Sequence, residues 1–63
     1  MSVSLKDKVL ATARERIKEA EEQLETAEEL VRRMKKAGID VSAKETELAI
    51  LRSRLEKLKK AFE

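Results

Sequence analysis

Apolar residues recur along this chain at alternating steps of three and four. The first series runs Leu10, Ala13, Ile17, Ala20, Leu24, Ala27, Val31 and Met34, and the second Leu48, Leu51, Leu55, Leu58 and Phe62. A mean spacing of about 3.5 residues is the seam of a coiled coil, because it keeps one stripe facing a partner helix. In heptad terms the first series has Leu10, Ile17, Leu24 and Val31 at a, and Ala13, Ala20, Ala27 and Met34 at d. The second has Leu48, Leu55 and Phe62 at a, and Leu51 and Leu58 at d. The small d row of one helix is expected to face the large residues of the other, in layers Met34–Leu48, Ala27–Leu55 and Ala20–Phe62.

The two series are separated by the only glycine, Gly38, which follows the basic run Arg32-Arg33-Met34-Lys35-Lys36-Ala37. Positive charge suits the C-terminal end of a helix. A left-handed glycine there, with Ile39 beyond it and Met34 before it, fits a Schellman ending. Asp40 and Val41 then lead to Ser42, which with Glu45 forms an S-x-x-E capping box; Ser4 with Asp7 is a similar start to the first helix. The spacing therefore predicts helix 1 over about 4–37, a loop over 38–42 and helix 2 over about 43–62. The fold class is all-α: a single antiparallel two-helix hairpin over 1–63, built as a coiled coil and expected to assemble into a four-helix bundle.

Charge tests that pairing. Folding back about the loop sets Lys35 against Glu45, Glu28 against Arg52 and Glu21 against Lys59, all at e and all opposite in sign. Exposed pairs contribute only about 0.2–1 kcal/mol each, so their role is register rather than stability. Two features exceed what a lone hairpin uses. Helix 1 would be about 51 Å long against about 30 Å for helix 2, so Val3, Leu10 and Ala13 have no partner within the chain, and Ile17 sits opposite its end. The flank away from the ion pairs is also apolar, with Val9, Leu30 and Ala37 at g of helix 1, and Ile50 and Ala61 on the same side of helix 2. Exposed apolar surface of this kind marks an interface. The expected partner surface comprises Val9, Leu10, Ala13, Ile17, Leu30 and Ile50.

Composition narrows the chemistry. With 63 residues and no cysteine, the chain has no disulfide to hold it together. Chains below roughly 70–80 residues usually need a disulfide, a metal or a partner. No histidine, cysteine or tyrosine is present, and the scattered serines and threonines lack an oriented base, so nucleophilic catalysis is not expected. No cofactor and no metal centre are expected either. The glutamates at 19, 21, 22, 25, 28 and 29 lack the inward Glu-x-x-His pattern of di-iron bundles and read as a solvated face, with Glu28 and Glu29 one turn before Arg32 and Arg33.

The net charge of +2 is small, and the basic clusters close the two helices, where the dipole favours them. The single aromatic, Phe62, leaves nothing for stacking on nucleic acid or for a membrane-surface face. The longest apolar run, Leu48-Ala49-Ile50-Leu51, is far below a membrane span of about 20 residues. No apolar leader segment opens the chain, and a cytoplasmic location is the expectation.

In its size and its alternation of small and large residues, the hairpin resembles the plasmid repressor-of-primer family. The resemblance covers pattern and size, shares no motif, and carries over no residue roles; it implies an RNA-binding hairpin dimer. The functional expectation is a self-associating structural module, whether natural protein, fragment or engineered scaffold. The alternatives are an adaptor that binds a helix of another protein and, third, the RNA-binding dimer.

Overall fold

The computed structural model describes residues 4–63 and consists of two helices, α1 (Leu5–Lys36) and α2 (Ser42–Ala61), packed against each other. The rod measures 58 × 16 × 12 Å. Val3, expected to extend the unpaired stripe, lies outside the described residues.

The start of α1 and its end follow from local chemistry as expected. Ser4 is extended, and its Oγ accepts from the Asp7 N–H at 3.1 Å, satisfying one of the donors a helix start leaves free. At the other end Gly38 has φ +84°. Its N–H donates to Lys35 O at 3.0 Å and the Ile39 N–H to Met34 O at 3.1 Å, the paired bonds of a Schellman ending. A Cβ at Gly38 would meet nothing within 4 Å, so glycine is required there by its backbone angle and not by crowding.

The start of α2 corrects the expected capping box. Ser42 is the first helical residue, Val41 is the N-cap, and no side chain caps in the usual manner. Asp40 takes that work instead: its Oδ1 accepts from the Ser42 N–H at 3.1 Å and from Ser42 Oγ at 2.8 Å. A carboxylate two residues back can accept from the backbone and the hydroxyl together, which Ser42 cannot do for itself. Shifting the start by one residue also puts Val41 in the interior. At 3% exposure it is the most buried of the described apolar residues, although its place in the loop suggested a spacer.

The seam corrects the expected layers. The buried residues of the two helices are Ile17, Leu24, Val31 and Leu55, with Leu48 and Phe62 packed against the cluster of Ile17, Leu24 and Leu55. All six are a residues. The d row turns outward: Ala20 is exposed and Ala27 half-buried, while Leu51 and Leu58 each remain 47% exposed. The reason is area. Burying large side chains against large ones removes more apolar surface from water than alanine against leucine, at roughly 25 cal/mol per Å². The e-row ion pairs pull the contact the same way.

α1 outruns α2. The N–H of Arg14 Nε donates to the carbonyl of Phe62, the C-cap residue of α2, at 3.0 Å. Residues 5–13 therefore project beyond the hairpin, about 13 Å of helix at 1.5 Å per residue.

Candidate interaction face

The two flanks of the hairpin differ in kind. On the closed flank the three expected cross-helix pairs all form. Arg52 clamps Glu28 with two bonds, Nε to Oε2 at 2.8 Å and Nη2 to Oε1 at 2.7 Å. Lys59 Nζ lies 3.0 Å from Glu21 Oε1, and Lys35 Nζ lies 3.2 Å from Glu45 Oε2. The two planar groups of the central pair match as a fork. The Arg52 hydrogen bond holds the Glu28 carboxyl below its ordinary range and raises the guanidinium in turn. The hydrogen bond from Lys59 to Glu21 likewise raises the Lys59 ammonium. Glu29 pairs with Arg32 at 2.6 Å and Arg33 at 3.4 Å along its own helix, and the Arg32 bond lowers its carboxyl. Glu21, Glu28 and Glu29 of the acidic stretch are thus paired with arginine or lysine, and among the described residues no three carboxylates gather as a metal site.

The opposite flank is an open apolar groove between the helices. Its floor is Leu24, Leu48 and Leu55; its walls are Ala20 and Ala27 of α1, and Leu51 and Leu58 of α2; Gln23 and Arg54 stand at the rims. Among the described residues nothing covers it. Each helix thus carries an apolar stripe wider than one neighbour buries, with a and e turned to the partner helix and d turned away.

The expected interface residues separate into groups. Val9, at 58% exposure, and half-buried Leu10 and Ala13 lie on the projecting turns of α1. Leu30, 58% exposed, sits outside the groove beside Thr26, Glu29 and Arg33. Ile50 is 49% exposed on α2. Ile17 belongs elsewhere: at 7% exposure it is part of the core cluster, because Phe62 at the end of α2 reaches back over it. Leu51 and Leu58, expected in the internal seam, form the groove wall instead. The clue was present in the spacing, since helix 2 offers large residues at both a and d whereas one neighbouring helix covers only one row well.

Two threonine hydroxyls bond the backbone of their own helix. Thr26 Oγ1 donates to Glu22 O and Thr46 Oγ1 to Ser42 O, each one turn back. The basic ends of α1 and α2 lie at opposite ends of the hairpin, and Lys35 and Lys59 among them are paired with acids. No helix among the described residues is long and apolar enough to cross a membrane. Comparison with protein families, with curated proteins and with solved structures finds no match.

Proposed function

We propose that the chain is a non-enzymatic oligomerisation module, a coiled-coil hairpin that pairs with a second copy to form a bundle of four helices. The observation that carries this is the uncovered groove, in which two leucines of α2 remain 47% exposed beside the alanine row of α1. The economy of the fold supports it. The buried residues of the described chain are Ile17, Leu24, Val31, Val41 and Leu55, a small core for a domain with no disulfide. A second copy over the groove completes the core, while the ion pairs on the closed flank specify how the two helices of each copy align. Molar mass by light scattering across a concentration series tests it: a dimer whose helix content rises with concentration is expected. A fully folded monomer at micromolar concentration overturns it and leaves the groove to a helix of another protein.

A further inference from the structure

Two apolar surfaces of the described chain lie exposed. One is the groove, with Leu51 and Leu58 on its wall. The other is the projecting part of α1, which carries Leu5, Val9, Leu10 and Ala13 beyond the end of α2. We infer that the projecting turns of each copy occupy the groove of the other, with α1 antiparallel to α1 of the second copy and the two-fold axis beside Ala20. This rests on the self-association proposed above and specifies its geometry.

The order of residues along α1 chooses this occupant. The outward d row, Ala13, Ala20 and Ala27, is the same in either direction about Ala20. The g row beside it, Val9, Arg16, Gln23 and Leu30, is apolar at both ends and polar in the middle. Antiparallel overlay sets Val9 against Leu30 of a second copy and Arg16 against Gln23, as an isologous contact requires. Leu10 of one copy then falls level with Leu51 of the other. The alanines let the backbones approach; the driving area comes from Val9, Leu10, Leu30, Leu51 and Leu58.

Charge agrees. Residues 5–18 hold Lys6, Lys8, Arg14, Arg16 and Lys18 against Asp7 and Glu15, whereas residues 19–29 hold six glutamates and no base. The overlay brings Arg16, on the g row, about one turn from Glu19 of the second copy, while Arg14 stays bonded to Phe62 of its own chain. A parallel overlay would set acid on acid. Size agrees as well. Contact along all of α1 is about 48 Å long, and a width of about 10 Å gives a footprint of order 500 Å² on each copy, near the threshold for a specific interface. Leu51 and Leu58 add to it. The four helices are then not coextensive: each half of the assembly has three helices around one core, and the length of α1 has a use.

The test uses the full chain, which contains no cysteine, with Leu10→Cys and Leu51→Cys together. Within one copy these positions are separated by about 28 Å along the rod, far beyond the Cα–Cα reach of a disulfide, about 7 Å. Mild oxidation should therefore give a covalent dimer held by Leu10–Leu51 bridges, forming at least about tenfold faster than in either single variant, because the thiols are held at high effective concentration. Val9→Cys with Leu30→Cys repeats the test at two exposed positions that the hairpin core does not use. Failure of both pairs to cross-link while unmodified protein is a dimer by light scattering overturns this arrangement and leaves self-association standing. Rapid cross-linking of Leu51→Cys alone indicates grooves packed face to face and also overturns it. A monomeric unmodified protein removes both proposals.

Discussion

The closed and open flanks of the hairpin are built from the same two helices and the same heptads, yet one is finished and the other is not. On the closed side, a residues bury against a residues and the e row locks them with a bidentate Arg52–Glu28 pair. On the open side, d residues of both helices face outward with no charged row to close over them. Ion pairs on a wet edge contribute little energy, but they choose which side of each helix turns inward. Apolar area supplies the driving force, and here part of it stays exposed on the open flank.

The largest effect is expected at the core. Leu55→Ala empties the one α2 position buried with Ile17 and Leu24. Large-to-small core changes of this type cost about 2–5 kcal/mol, which in so small a chain should abolish cooperative melting; circular dichroism at fixed concentration measures it. A carboxylate in the groove separates the flanks directly. Leu58→Glu is accommodated in an isolated hairpin, since the side chain faces outward, but in an assembly it buries an unpaired charge at a cost of several kcal/mol unless the site opens. Halved molar mass with loss of helix content is expected from light scattering and circular dichroism. Unchanged mass and melting for Leu58→Glu, with dissociation caused by Glu28→Lys instead, would mean that the charged edge is the assembly surface.

Smaller effects probe the loop that sets both flanks. Gly38→Val forces a β-branched residue to φ +84° and should cost about 1–2 kcal/mol, visible as a lower melting temperature at fixed concentration. Asp40→Ala removes the acceptor for the Ser42 N–H and hydroxyl and should lower the melting temperature slightly, by more than Glu45→Ala, because the capping box does not form. The Ser42 backbone bond also holds the Asp40 carboxyl low.

The smallest effect belongs to the closed edge. Glu28→Lys places like charges together in partly solvated surroundings and should cost well under about 1 kcal/mol, less still in high salt. The same pair sets a weak pH dependence. Because the folded Glu28 carboxyl lies below its ordinary 4.5, its contribution is present above that value and is lost as pH falls through the lowered one. Urea melts should be flat from neutral pH to about pH 5 and decline below it, with less decline in Glu28→Gln.

Residue order alone determines that this chain makes two helices, where Gly38 breaks them, which way the second runs, and which three ion pairs form. Those features depend on short-range geometry, 3.5-residue periodicity and the sign of charge, all of which are visible in one dimension. Which apolar row faces inward emerges only in three dimensions. A helix with apolar a and d rows can rotate about its axis and present either, and the choice depends on the summed area of contacts across two helices. That rotation buried Ile17, turned Ala20, Leu51 and Leu58 outward and made the groove. The same limit explains Val41 and Asp40. Their roles arise where two helix ends meet, so a loop valine became interior and an aspartate took the cap that local pattern assigned to Ser42.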